Sequence, residues 1–403
     1  MKKRLLVAQS GGPTAAINAS LAGVIDYAFK CGDFEGVFGS VNGIDGVFNE
    51  NFVDMSKFQD ERRIKILCQT PSSYLGSCRR KLAENDEVYK KIFEIFKKHS
   101  IGAFVYIGGN DSMDTVDKLS RYARENDEDV TIVGVPKTID NDLVLTDHTP
   151  GYSSAAKYII NSIRQLALDT AVYDMRSVIV AEIMGRNAGW LTAAASLAND
   201  DIIQPVDVIC LPEIAFEPEK FLSKISDVLN RKKSTVIAVS EGICDVNGDY
   251  VTSGLANRAK DDGFSHAALG GVGKYIESLI SQRLGVKTRA LEFSTLQRCN
   301  AETASLSDVN EAFDQGALGA KYAQEGKGGV MIGIIRKDGD VYIPELTSFD
   351  ISLIANKEKK MPHDMLSGDG FGVTDVYKKY ASPLIVGHPE IVYNNGIMEF
   401  EVR

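Results

Sequence analysis

The chain has 403 residues, 44% of them hydrophobic and 25% charged, with a formal net charge of −10. That length accommodates two domains or one large interleaved pair, and the apolar share is ordinary for a soluble globular protein. The acidic balance excludes a general nucleic-acid binder, which needs a basic surface, and no apolar run approaches membrane-spanning length. Six cysteines, at positions 31, 68, 78, 210, 244 and 299, show no paired spacing, and the five histidines are equally dispersed. Reduced thiols and no zinc-type cluster are expected. Met1-Lys2-Lys3-Arg4 leads into an apolar run too short for a signal-peptide core, so a cytoplasmic protein is expected.

Residues 5–8 read as a buried strand, followed by Gln9-Ser10-Gly11-Gly12-Pro13-Thr14 and a helix from about residue 15. Ile17, Leu21, Val24, Ile25 and Ala28 give that helix one apolar face. Strand, glycine turn and helix N-terminus is an arrangement suited to a phosphate. It is neither a P-loop nor a dinucleotide fingerprint, and a Gly-Gly pair before a helix more often serves packing. Residues 37–41 form the next predicted strand, and Leu75-Gly76-Ser77-Cys78-Arg79-Arg80 places two arginines after a glycine turn, ordinarily a solvated feature.

The stretch from 105 to 142 carries the strongest signal. An apolar strand at 103–107 ends in Gly108-Gly109-Asn110-Asp111-Ser112, and a helix over 112–124 follows, with Met113, Val116, Leu119 and Tyr122 at helical spacing. A second strand, 131–135, runs into Pro136-Lys137-Thr138-Ile139-Asp140-Asn141-Asp142. In such a β-α-β unit both carboxyl-end loops face the sheet edge where open α/β sheets bind ligands. Gly108 and Gly109 permit an unobstructed turn, so the helix N-terminus can face an anion. Of the two aspartates, one could accept a proton from a hydroxyl while the other helps hold a hydrated Mg²⁺, and Lys137 adds fixed positive charge. Taken alone, Asp-Asn-Asp is as consistent with a solvated turn.

Pro150-Gly151-Tyr152 precedes an amphipathic helix at 155–166, and a strand at 177–182 delivers Met184-Gly185-Arg186. Strands at 208–211 and 235–240 end near Glu213 and Glu241, either of which could complement a helix dipole. Residues 263–274, with His266 and a glycine-rich end, read as a helix start. A strand at 289–293 leads to Ser294-Thr295-Leu296-Gln297-Arg298. Segments 329–335 and 341–343 flank an Asp-Gly hairpin signal, and 357–361 reads as a solvated charged face.

The two loops, Gly-Gly-Asn-Asp-Ser and Pro-Lys-Thr-Ile-Asp-Asn-Asp, resemble the signature loops of the phosphofructokinases, with matches recurring from Gly11 to Arg298. The pattern is closest to the diphosphate-dependent branch. ATP-dependent relatives carry Gly-Gly-Asp-Gly-Ser, where the second glycine leaves room for a nucleotide α-phosphate; Asp111 fills that room with charge. Lys137 stands where those relatives have another glycine, and Thr295 where they have a histidine. Arg176 lies one residue further from Met184 than the family's arginine supplied by a neighbouring subunit.

The resemblance implies two Rossmann-like α/β lobes with parallel-rich sheets and the active site in the cleft between them. Lobe 1 is expected over about 1–150 with 265–315, and lobe 2 over about 151–264 with 316–403. The implied reaction is reversible transfer from diphosphate to the 1-hydroxyl of fructose 6-phosphate. Asp140 is then the base, Lys137 and Arg79 stabilise the transferring group, and Asp111 excludes ATP. Gly11, Gly12, Gly108, Gly109 and Ser112 hold diphosphate. Thr138, Ile139, Asp140, Met184, Gly185, Arg186, Glu241, Arg289, Thr295 and Arg298 hold the sugar phosphate, while Asn110 and Asp142 serve Mg²⁺. A homodimer or homotetramer with shared sites is expected, Arg289 reaching into a neighbour. The rivals are an ATP-dependent phosphofructokinase and a non-catalytic phosphosugar-binding subunit.

Overall fold

The computed structural model of the chain describes residues 3–253, 271–339 and 341–403. In chain order its principal strands are β1 (Arg4–Gln9), β2 (Val37–Ser40), β3 (Phe52–Asp54), β4 (Ile101–Gly108), β5 (Thr131–Pro136) and β6 (Ser177–Ile183). They continue with β7 (Val206–Cys210), β8 (Ser234–Ser240), β9 (Lys287–Glu292), β10 (Val330–Arg336) and β11 (Pro344–Asp350). Two compact units divide them. The first comprises Met1–Ser154, Arg298–Glu358 and Val386–Arg403, the second Ala155–Gln297 and Lys359–Ile385.

The first unit holds a seven-stranded sheet in the order β11-β10-β5-β4-β1-β2-β3. Its centre is parallel, and antiparallel β3 and β11 close the two edges. β1, β4 and β5 are buried along nearly their whole length, as strands covered on both faces must be. Their residues alternate between two apolar cores. Leu6, Ala8, Phe104 and Tyr106 face the helices Asp86–Lys98 and Asn110–Glu125 through Phe93, Phe96, Met113 and Leu119. Leu5, Val7, Val105 and Ile107 face Ile17–Cys31 and Leu306–Gln324 through Leu21, Val24 and Ala320. The last two helices cross at glycines: a Cβ on Gly23 would lie 1.9 Å from the Phe313 carbonyl oxygen, and one on Gly316 2.0 Å from that of Ser20.

The second unit holds a four-stranded, wholly parallel sheet in the order β7-β8-β6-β9. Val178, Val180, Val208, Ile237 and Val239 pack against Phe221 and Ile225 of Pro218–Arg231 and Ile276 and Ile280 of Val272–Leu284. Strand β9 is an open edge, with Lys287, Arg289 and Glu292 exposed.

Both parallel-rich α/β units agree with the expected class, but the boundaries differ. Residues 316–358 belong to the first unit, because β10 and β11 extend its sheet beyond β5. The helix Val272–Leu284 and β9 belong to the second, because β9 pairs with β6. The hairpin after β10 also differs: its return strand begins at Pro344, not at 341, so the connection is longer than an Asp-Gly turn. His266 and most of the glycine-rich stretch before Val272 lie outside the described residues.

Candidate active site

In the first sheet, β1 has β2 on one side and β4 on the other, so the chain changes its direction of progress at β1. The carboxyl ends of β1 and β4 flank a topological switch point, where open α/β sheets bind ligands. Ser10 donates its N–H to Ile107 at 2.9 Å, and Lys137 donates its N–H to Gly108 at 2.9 Å, so the three loops after β1, β4 and β5 are laced together.

Lys137 is the centre of this edge. It is only 2% exposed, and its Nζ donates to the Gly12 carbonyl oxygen at 2.6 Å. Gly11, at φ +77°, is a turn residue whose Cβ would stand 3.1 Å from that Nζ; a Cβ on Gly12 would stand 3.2 Å from Nη1 of Arg298. The glycine pair is therefore roofed by two cations. Burial pushes the Lys137 ammonium down to about 8; Asp140 and Asp142 oppose this, while Arg298 and Arg79 press in the same direction. Two carboxylates and two guanidiniums thus act electrostatically on one buried ammonium.

The loop after β5 is stiffened by its own side chains. Thr138 Oγ1 accepts the Asp140 N–H at 3.1 Å, and Thr138 donates its N–H to Pro150 at 3.2 Å. Ile139 is buried. Asn141, fully buried at φ +55°, accepts the Thr149 N–H at 3.1 Å through Oδ1. Asp140 and Asp142, on either side of it, are half-buried.

The loop after β4 is tied to a distant part of the chain. Asn110 opens the helix Asn110–Glu125, yet its Nδ2 donates to the Lys357 carbonyl at 2.7 Å and its Oδ1 accepts the Asn356 N–H at 2.8 Å. Both ends of the amide clip a distant loop. Residue 357 thus belongs to a tethered loop, and Met361, at the end of the stretch read as solvated, is buried. Asp111 is more than half exposed and ion-paired to Lys81 at 2.9 Å, while Ser112 is buried.

The two neighbouring arginines have different surroundings. Arg80 Nε binds Asp45 at 2.5 Å and its guanidinium stacks over Phe48 at 4.8 Å. Arg79 is exposed and acts electrostatically on Lys137. Its segment is anchored from far along the chain, since Arg403 donates to the Leu75 carbonyl at 3.3 Å.

In the second unit, the candidate residues gather at the carboxyl ends of β6 and β8. Gly185 donates its N–H to Glu241 Oε1 at 3.4 Å and accepts Ser240 Oγ at 2.5 Å. Met184 donates its N–H to Gln297 Oε1 at 3.2 Å. Gly242 must be glycine: a Cβ there would lie 1.8 Å from the Arg186 carbonyl oxygen. Ser240 and Gln297 were invisible to pattern reading, because their function is to hold backbone, which leaves no residue-type signature. Arg289 and Thr295 are exposed, Arg289 on the open edge of β9. Glu213 accepts N–H groups of Gly189 (2.8 Å) and Met361 (3.3 Å), and burial raises its carboxyl. It ties backbone together. Arg298, expected with the sugar residues, stands in the first unit beside Gly12.

Among the described residues no group of three or more His, Cys, Asp or Glu side chains could hold a metal, and no helix is long and apolar enough to cross a membrane. The hard carboxylate oxygens of Asp140 and Asp142 suit Mg²⁺ only with further oxygens supplied by a ligand, the usual habit of that ion. The edge of the first unit is equipped to hold a multiply charged phosphate, take a proton and neutralise developing charge.

Comparison with known proteins agrees with this chemistry. A family model described as Phosphofructokinase matches residues 4–318. The chain is 39% identical over 399 residues to a pyrophosphate–fructose 6-phosphate 1-phosphotransferase of Methylococcus capsulatus, covering 98% of this chain and 94% of that protein. It is 40% identical over 396 residues to a protein of the same name from Xanthomonas campestris, covering 97% and 93%. The crystal structure of a pyrophosphate-dependent phosphofructokinase from Nitrosospira multiformis superposes with a TM-score of 0.89 at 35% identity, covering 100% of this chain and 96% of that one.

Proposed function

The chain belongs to the phosphofructokinase family, and on that premise we propose that it transfers a phosphoryl group from diphosphate to the 1-hydroxyl of fructose 6-phosphate. The products are fructose 1,6-bisphosphate and phosphate, and the reaction is reversible. The observation that carries the donor assignment is the buried Lys137 ammonium on the Gly12 carbonyl, a cation occupying the place of a glycine in ATP-dependent relatives.

Asp140 takes the proton from the 1-hydroxyl as its oxygen attacks the near phosphorus of diphosphate. The bond from that phosphorus to the bridging oxygen breaks, and the electron pair leaves on inorganic phosphate. Lys137 and Arg79 stabilise negative charge on the transferring group and the leaving phosphate, an effect that acts on the transition state more than on binding. Fixing Asp140 through Thr138 limits reorientation of the base. Asp142 would hold Mg²⁺ brought in with diphosphate, whose oxygens the ion neutralises when bound.

Gly11, Gly12, Gly108, Gly109 and Ser112 are assigned to diphosphate. Thr138, Ile139, Met184, Gly185, Arg186, Glu241, Arg289, Thr295 and Arg298 are assigned to the sugar phosphate, Arg298 being the one that also borders the donor turn. The exposure of Arg289 on an edge strand supports its service to a neighbouring subunit in a homodimer or homotetramer. The enzyme is expected to act in the cytoplasm.

The test is a coupled aldolase assay with Mg²⁺ and fructose 6-phosphate, supplying diphosphate or ATP in turn. Turnover with diphosphate and little with ATP is the expected result. Preference for ATP overturns the donor assignment, and binding of the sugar without turnover points to a regulatory subunit.

A further inference from the structure

The loop bearing Asp140 and Asp142 does not end in solvent. Its return leg holds it: Thr149 donates its N–H to Asn141 Oδ1 at 3.1 Å and its Oγ1–H to the Thr138 carbonyl at 2.8 Å, and Pro150 accepts the Thr138 N–H at 3.2 Å. The side chain just before residues 149 and 150 is anchored in turn. His148 is 1% exposed, with Nδ1 2.8 Å from Asp147 Oδ2 and Nε2 2.6 Å from Glu311 Oε2.

Both carboxylates are themselves held. Arg336 donates to Asp147 through Nε at 3.1 Å and Nη2 at 3.0 Å, and Tyr342 donates Oη–H to Glu311 Oε1 at 2.7 Å. The backbone adds two ties to β10: Asp147 donates its N–H to the Ile334 carbonyl at 2.7 Å, and Ile334 donates its N–H to Thr146 Oγ1 at 3.0 Å. An ionised carboxylate only accepts, so an imidazole between two of them must donate from both nitrogens. The cluster is then balanced: His148 and Arg336 positive, Asp147 and Glu311 negative.

We propose that His148 is a positioning residue for the transfer described above, a buried imidazolium that fastens the return leg of the catalytic loop to Glu311 of the helix Leu306–Gln324 and, through Asp147 and Arg336, to β10. This rests on Asp140 being the base. The cross-link joins three separate stretches of chain around one buried ring. Its partners drive the imidazolium up to about 9 against the opposing effect of burial, and they hold Asp147 down at about 2. Of the other groups facing the cluster, Asp308 is fully buried and accepts the N–H groups of Gly151 and Ser154, while Asp314 lies near Glu311 on the same helix. Asp308 and Asp314 both act electrostatically on Glu311, and negative charge there favours the protonated ring.

Two measurements test this on the intact enzyme. In ¹⁵N-edited NMR at pH 7.5, one of the five histidines should show both ring nitrogens protonated and slow to exchange, and that signal should vanish in His148→Gln. A neutral tautomer at His148 at that pH overturns the proposal whatever the enzyme's substrate. In steady-state kinetics with diphosphate, His148→Gln should lower kcat at least tenfold and leave both KM values within about threefold. The double variant His148→Gln with Glu311→Gln removes the unpaired buried carboxylate; it should recover thermal stability but not kcat. Wild-type kcat in folded His148→Gln, or recovery of kcat together with stability in the double variant, reduces His148 to a merely structural residue and overturns the assignment.

Discussion

At the carboxyl edge of the first sheet, a buried ammonium, two carboxylates and two guanidiniums crowd around a glycine turn. At the same edge of the second sheet the main features are backbone groups, with Met184 and Gly185 held by Gln297, Ser240 and Glu241. Both edges are the ends of buried parallel strands, so sheet geometry does not account for the contrast. The first edge gathers charge in low dielectric, where it acts strongly on a reacting group but disfavours its own burial. The second fixes a surface by close backbone contact, which suits recognition of a neutral sugar ring and tolerates little change in shape.

If the division between a reacting edge and a recognising edge is right, substitutions should split between kcat and KM accordingly. The largest effect belongs to Asp140→Ser, which should lower kcat by about a thousandfold or more with the fructose 6-phosphate KM within a few-fold; near-normal turnover would sink the base assignment. Lys137→Met should follow, losing roughly a hundredfold to a thousandfold in kcat.

The wild-type lysine adds a pH signature of opposite signs. Its folded pKa of about 8 lies below the ordinary 10.5. Below about 8 the folded state therefore carries a buried ammonium that the unfolded chain carries in water, and this subtracts from stability. The subtraction fades as pH rises from about 8 towards 10.5, so the lysine's contribution to stability rises while kcat/KM falls. Melting curves and kcat/KM profiles from pH 7 to 10 check this, and Lys137→Met should abolish the stability trend.

On the recognising edge, Gly242→Ala should destabilise the second unit by about 1–3 kcal/mol in denaturant unfolding and raise the sugar KM, with the diphosphate KM little changed. A matching rise in both KM values would erase the distinction between the edges. The smallest effect is expected for Arg80→Ala, within about twofold in kcat, because its guanidinium is engaged by Asp45 and Phe48 and exposed ion pairs contribute little.

The sequence was most legible where chemistry and local structure coincide. The loops holding Lys137, Asp140 and the Gly108 turn sit directly after strongly apolar strands, so position and role could be read together. The ties of Asn110 were not legible, because its partners, the backbone at 356 and 357, lie some 246 residues away and carry no residue-type signal. His148 escaped for a similar reason: Glu311, Arg336 and Tyr342 are scattered along the chain and converge only after folding. Unit boundaries differed where β10 pairs with β5, a strand some 200 residues earlier, since hydrophobic patterning identifies a strand but not its neighbour.

The glycine crossing of Ile17–Cys31 with Leu306–Gln324 bears on how the protein is made. The apolar face that Gly23 opens is covered by a helix about 290 residues later in the chain. At ordinary translation rates of roughly 5–20 residues per second, that face would wait on the order of 15–60 s for its partner. Until then the first unit lacks the cover of that face, and chaperone dependence should concentrate on nascent chains shorter than residue 306.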